Sequence, residues 1–133
     1  MLLNTDDLRI QKTNELISPE QLIGDIAVSD TASETVSVAR QSIHRILTGE
    51  DQRLLVIVGP CSIHDEKAAY EYAEKLLKLR GQVSESLVIV MRVSFEKPRT
   101  SVGWKGLIND PRLDGTCDIM EGLRKARSIL HRI

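Results

Sequence analysis

Two short apolar runs constrain the fold of this chain more than any other feature. They read LLVIV at 54–58 and LVIVM at 87–91, and the second predicted strand continues to Val93. Continuous branched residues, without polar alternation, predict strands that are covered on both faces, as in a parallel sheet. A helical pattern lies between them, and parallel strands need such a crossover. The runs therefore predict a β/α/β unit in an α/β protein.

The rest of the sequence predicts helices with recognisable ends. A Ser-Pro pair at 18–19 starts a short helix, and a capping box at 31–34 starts an amphipathic one. Acids at 65–66 start the crossover helix, and Gly81 is expected to stop it. Asp118 starts the last helix. Its predicted buried stripe consists of Ile119, Leu123, Ala126 and Leu130.

Composition excludes several classes of protein. The net charge of -1 gives no basic field for nucleic acid, and 3% aromatic residues give no stacking platform. No apolar run approaches the roughly 20 residues of a membrane span. Two cysteines are too few for a disulfide framework, and the amino terminus has no signal-peptide pattern. We therefore expect a cytoplasmic protein that uses neither nucleic acid nor membrane as a partner.

The stretch after the second run, residues 91–105, concentrates positive charge. It carries four cations and one acid: Arg92, Lys97, Arg99, Lys105 and Glu96. In α/β proteins, ligands bind in the loops at the carboxyl ends of the strands. Clustered cations there suggest a bound phosphate or carboxylate. A solvated basic loop with Arg92 in an ion pair is the alternative, and composition does not decide between them.

Two longer strings of sequence favour the bound anion over the solvated loop. The first run leads into GPCSIHD at 59–65, and the cationic loop continues as FEKPRTSVGWKGLINDP at 95–111. Together they closely resemble the metal-dependent class I 3-deoxy-D-arabino-heptulosonate-7-phosphate (DAHP) synthases, the aromatic-feedback-regulated, enterobacterial type. These transferases condense phosphoenolpyruvate with erythrose 4-phosphate and water to DAHP and phosphate, in the first step of the shikimate pathway. The resemblance extends from residues 6–10 to the last helix.

The resemblance implies a TIM (β/α)8 barrel of which this chain carries the first two β/α units. Residues 1–50 would form a helical amino-terminal arm for oligomerisation and regulation, and 51–133 the start of the catalytic barrel. Such a barrel takes about 250 residues, so the barrel is incomplete here. We expect the isolated 133-residue chain to be inactive. The alternative function is a truncated, non-catalytic remnant that keeps a phosphate-binding or interaction surface.

The resemblance also assigns a metal ligand. A cysteine taken alone is more often a buried, inert side chain. Cys61 matches the family's ligand for a divalent ion, and a thiolate suits manganese, iron, cobalt or zinc. The remaining family ligands, a histidine and two acids, come from later strands. His64 is not expected to be a ligand but a hydrogen-bonded residue near the helix start.

The cationic loop supplies the substrate contacts that the family implies. Arg92 matches the phosphoenolpyruvate-binding arginine, and Lys97 the catalytic lysine that reaches both substrates. Arg99 and Thr100 match the erythrose 4-phosphate-binding residues. Gathering two phosphates and a carboxylate requires such cations, because the anions otherwise repel one another. Ser94 departs from the family, which usually has tyrosine there.

Asp6 and Asp7 match an acidic pattern near the family's aromatic amino acid effector site. Taken alone, they are better explained as a frayed acidic terminus. The effector, whether phenylalanine, tyrosine or tryptophan, depends on residues beyond position 133. The complete protein is expected to be a homodimer or homotetramer.

Overall fold

A computed structural model describes residues 6–10, 12–97 and 102–133. Within these ranges the chain forms four helices and two strands, in the order that the sequence predicts. Their bounds are α1 Pro19–Asp25, α2 Asp30–Leu47, β1 Leu54–Val58, α3 Glu66–Val83, β2 Leu87–Met91 and α4 Ile119–Arg132. No helix among these residues is long and apolar enough to cross a membrane.

The two strands pair in parallel, with Leu54 opposite Leu87 and Val58 opposite Met91. Helix α3 makes the crossover between them, so the predicted α/β class is confirmed. Because the last residues of the two strands are paired with each other, both strands end at the same edge of the sheet. The loops that follow Val58 and Met91 therefore start side by side. The described residues contain this two-stranded sheet and not a closed barrel.

Three helix starts were predicted correctly and one was not. Ser18, Asp65 and Asp118 are N-caps whose side chains accept a backbone N–H three residues on. Helix α2 starts earlier than the predicted capping box, because Ser29 is its N-cap and accepts the amide of Ala32 at 3.2 Å. These side chains satisfy backbone donors that a helix leaves unpaired at its start.

The expected stop at Gly81 was also wrong. Helix α3 continues through this glycine to Val83, with Ser84 as its C-cap. Gly49, in contrast, follows α2 with a φ of 79°, the left-handed conformation that commonly ends a helix.

The hydrophobic core lies beside the sheet, where both post-strand loops meet α3 and α4. Its buried members are Ile63, Ala69, Phe95, Leu107, Ala126 and Ile129. Strand β1 was expected to be covered on both faces, and in this structure it is not. Leu54 is 66% exposed and Ile57 is 62% exposed, because the described elements do not cover them. The core thus supports the loops more than the strands.

The buried face of α4 differs from the predicted stripe. Gly122, Ala126 and Ile129 are buried, whereas Leu130 is 55% exposed. At about 100° per residue, the buried face is rotated by about 60° from the predicted one. The reason is Gly122: a Cβ there would overlap the backbone carbonyl of Ile108. The helix packs on this loop through its glycine, and apolar periodicity could not indicate that.

Candidate active site

The loops after β1 and β2 are fixed to each other by backbone contacts. The amide of Arg92 donates to the carbonyl of Val58 at 2.8 Å, and the amide of Ile63 donates to that of Ser94 at 2.8 Å. Gly59 permits this approach, since a Cβ at this position would overlap the Arg92 carbonyl. The two loops therefore act as one surface at the carboxyl edge of the sheet.

The side chains of Cys61 and Lys97 meet on this surface. The Lys97 Nζ donates to the Cys61 Sγ at 2.6 Å, although 36 positions separate the two residues. Cys61 is exposed and forms no disulfide. The sequence placed both residues at the carboxyl ends of strands but could not predict this contact. It joins the candidate metal ligand to the candidate catalytic lysine.

Arg92 is held on the same surface by main-chain acceptors. Its Nη1 donates to the carbonyls of Pro60 at 2.8 Å and Cys61 at 3.2 Å. The alternative of an ion pair was left open above, but no carboxylate of the described residues pairs with Arg92. A guanidinium has five donors, so these bonds orient Arg92 and leave others for a ligand.

The base of Lys97 is held by a short antiparallel bridge. The amide of Lys97 donates to the carbonyl of Lys105, and that of Leu107 to the carbonyl of Phe95, both at 2.8 Å. Gly106 has a φ of 127°, and a Cβ there would overlap Phe95. Leu107 is 1% exposed, so the bridge is anchored in the core. The backbone below the Lys97 side chain is thus well fixed.

The structure gives less information on the other candidate residues. Arg99 and Thr100 lie outside the described residues. Asp6 and Asp7 are exposed, and the Asp7 carbonyl accepts the amide of Ile10 at 2.9 Å. His64 is exposed, and its ring lies edge-on to that of Trp104, with centroids 6.4 Å apart. The described residues hold no group of three or more histidine, cysteine, aspartate or glutamate side chains that could hold a metal ion.

Sequence reasoning missed a set of contacts between the arm and one side of α4. Arg124 Nη2 lies 2.7 Å from the Asp25 carboxylate, and Arg127 Nε donates to the carbonyl of Ile26 at 2.7 Å. The amide of Ser29 donates to His131 Nε2 at 3.1 Å. The signal was a polar stripe at helical spacing, overlooked because only apolar periodicity was considered.

Two ion-pair networks lie outside the candidate site. The hydrogen bond from Arg53 lowers the pKa of Asp51 to about 2, and Arg53 also donates to the carbonyl of Ser84 at 3.0 Å. On α4, the hydrogen bond from Lys125 and the Arg112 guanidinium hold the pKa of Glu121 below its ordinary value. Both networks join neighbouring segments and are structural.

The fold and the site define an α/β chain with a thiol and cations at its strand ends. The DAHP synthetase I family matches residues 25–128. The Phe-sensitive phospho-2-dehydro-3-deoxyheptonate aldolase of Escherichia coli K12 is 55% identical over 130 residues, covering 98% of this chain and 37% of that protein. The Trp-sensitive one of Enterobacter agglomerans is 54% identical over 126 residues, covering 95% and 36%.

A solved structure is similar to this chain in both fold and sequence. The phospho-2-dehydro-3-deoxyheptonate aldolase of Francisella tularensis SCHU S4 is similar with a TM-score of 0.85 at 48% identity, over 92% of this chain and 37% of that one. This chain belongs to the DAHP synthetase I family, since the family match covers most of its residues. It spans little more than a third of the length of these relatives.

Proposed function

We propose that these residues form the amino-terminal part of a DAHP synthase, a transferase that condenses phosphoenolpyruvate and erythrose 4-phosphate with water to give DAHP and phosphate. The single observation that carries the proposal is the convergence of Cys61, Arg92 and Lys97 at one edge of the sheet. Two separate stretches of sequence, the loops after β1 and β2, meet there in a chain of this family. Residues 1–50 would be the arm, and 51–133 the first units of a (β/α)8 barrel.

Cys61 fits the role of a metal ligand. Its thiol is exposed at the carboxyl end of a strand, where barrel enzymes place functional groups. Manganese, iron, cobalt or zinc suits a sulfur ligand, and the other ligands would come from outside residues 1–133. When bound, such an ion supplies Lewis-acid polarisation of the aldehyde. Lys97, hydrogen-bonded to the same sulfur, would then lie next to the reacting groups.

Each cation would bind one or both of the substrates. Arg92, oriented by two carbonyls, would bind phosphoenolpyruvate with its remaining donors. Lys97 would hydrogen-bond both substrates and position or deprotonate the attacking water. Arg99 and Thr100 are proposed erythrose 4-phosphate contacts on the family resemblance alone. Neutralising two phosphates and a carboxylate by fixed cations lowers the repulsion between the substrates.

The arm would carry regulation. Asp6 and Asp7 are proposed to contribute to a site for an aromatic amino acid, and the relatives named Phe-sensitive and Trp-sensitive support an effector of that class. A homo-oligomer, dimer or tetramer, and a cytoplasmic location complete the proposal; both follow from the family resemblance.

The test is intact mass and phosphate release on one untagged sample of the protein as the cell produces it. We expect phosphate release that requires both substrates and a divalent metal. Replacing Lys97 by methionine should lower turnover by about 10²–10⁴-fold, the usual contribution of a proton-transfer group. Lys67→Met, an exposed lysine of α3, is the matched control.

Two results would contradict the proposal. Unchanged turnover in Lys97→Met would remove the role of that residue. A species near 14.9 kDa that releases no phosphate with any of the four metals would favour the non-catalytic remnant instead.

A further inference from the structure

Helix α4 holds the arm on one of its sides. Besides the Arg124, Arg127 and His131 contacts, the amide of Ile17 donates to the Met120 sulfur at 3.2 Å. The four α4 residues lie 4, 3 and 4 positions apart, so they form one stripe along the helix. Their partners advance along the arm in the same order. The arm from residue 17 to residue 29 therefore lies lengthwise on α4.

The other side of α4 supports the bridge below Lys97. Gly122 lies against the backbone of Ile108, and Ala126 and Ile129 are 5% and 0% exposed in the core cluster with Leu107. At about 100° per residue, the arm stripe and the buried face are about 160° apart around the helix, which places them on nearly opposite sides. A movement of α4 towards or away from the arm is therefore also a movement against the loop.

We propose that α4 couples the arm to Lys97: the arm contacts on one side of the helix keep its other side pressed on the loop that positions the lysine. The inference rests on the proposed function, because it assigns the route by which an effector on the arm would reach the site. Arg127 and Arg124 are positioning residues in this route, not catalytic ones. Packed elements transmit such shifts because their side chains cannot yield independently.

Arg127 should carry most of the coupling. It donates to the Ile26 carbonyl from a half-buried position, whereas the Asp25–Arg124 pair has side chains that are 38% and 46% exposed. Hydrogen bonds from charged groups exceed exposed ion pairs in strength, since water competes with the latter. Removing Arg127 should therefore release the arm more than removing either member of the pair.

The first experiment is hydrogen–deuterium exchange on the purified protein as the cell produces it. In Arg127→Met we expect exchange at the Leu107 amide to rise about fivefold, the lower end of coupling between linked sites. Lys125→Met is the matched control, because Lys125 lies on α4 but pairs with Glu121 within the helix. Arg127→Lys should restore part of the protection, since lysine keeps a donor. Unchanged exchange at Leu107 in Arg127→Met would overturn the proposal.

The second measurement is inhibition of turnover by phenylalanine, tyrosine and tryptophan in the same variants. We expect the half-inhibiting concentration of the active effector to rise about fivefold or more in Arg127→Met and to stay unchanged in Lys125→Met. If Arg127→Met does not fold, Asp25→Asn serves as the milder variant, with a smaller shift in the same direction. Raised exchange with unaltered inhibition would overturn the regulatory role.

The two measurements separate failure of this inference from failure of the proposed function. Exchange needs no activity, so coupling between arm and loop is tested even in a protein that releases no phosphate. Absence of turnover in the wild type overturns the function and, with it, the effector route. Normal turnover with unaltered exchange in Arg127→Met overturns the coupling alone.

Discussion

Replacing Gly122 by alanine tests how tightly α4 packs on the loop that carries Lys97. A Cβ at Gly122 would overlap the O, C and Cα atoms of Ile108, which are backbone atoms and cannot rotate away. Gly81, in the last turn of α3, has nothing within 4 Å of its Cβ position. Both glycines are in helices, so the gain in the free energy of unfolding from the helix propensity of alanine is the same for both. It therefore cancels when the two variants are compared.

The magnitude follows from two opposing effects. Alanine in place of glycine within a helix stabilises by roughly 0.5–1 kcal/mol. Forcing a methyl group into a packed contact destabilises by roughly 1–3 kcal/mol. We therefore expect Gly81→Ala to raise the free energy of unfolding by about 0.5–1 kcal/mol, and Gly122→Ala to lie about 1–3 kcal/mol below Gly81→Ala.

The assay is urea unfolding followed by circular dichroism, with both variants compared at equal slopes so that the midpoints report stability. Because Ile108 adjoins Leu107, whose amide bonds Phe95, turnover should also fall in Gly122→Ala and not in Gly81→Ala. If Gly122→Ala proves as stable as Gly81→Ala and as active, the close contact between α4 and the loop does not exist as described.

Two further predictions concern the thiol and the strand entrance. Cys61→Ala should lower the bound divalent metal per protein by at least about 10-fold, because even supporting residues of metal sites contribute that much. The metal is measured by elemental analysis after dialysis, with Cys117→Ala as the matched control. Equal metal content in the two variants would show that Cys61 is not a ligand. Asp51 has its pKa lowered to about 2 by Arg53, so its contribution to stability is present above its ordinary pKa and is lost as the pH falls through about 2. The urea midpoints of wild type and Asp51→Asn should differ at pH 7, approach each other as the pH falls below about 4, and converge only below about pH 2. A difference that is independent of pH would contradict this.

The sequence predicted the elements better than their contacts. Continuous apolar runs and side-chain caps are local signals, so β1 and three helix starts were correct. Gly81 was taken for a stop, although a glycine can also continue a helix at a modest cost. The displaced buried face of α4 could not be predicted, because the approach of the Ile108 backbone to Gly122 depends on a distant loop.

In the candidate site, too, the sequence predicted where residues lie but not which of them are in contact. Strand order predicted that Cys61 and Arg92 lie at one edge of the sheet, since parallel strands bring their carboxyl ends together. The bond between Cys61 and Lys97 depends on how the loop after β2 folds back through its bridge. Motif resemblance named the residues, and only the structure brings three of them into contact.

The most direct test of the central claim is a chimera in which residues 1–133 of this chain replace the matching stretch of the Phe-sensitive Escherichia coli enzyme. The 55% identity over 130 residues makes the junction feasible, and the remainder of that enzyme supplies what lies outside this chain. We predict DAHP formation that requires a divalent metal and is abolished by Lys97→Met introduced into the chimera. A folded chimera that assembles like the parent enzyme and forms no DAHP would show that Cys61, Arg92 and Lys97 of this chain do not make a working site.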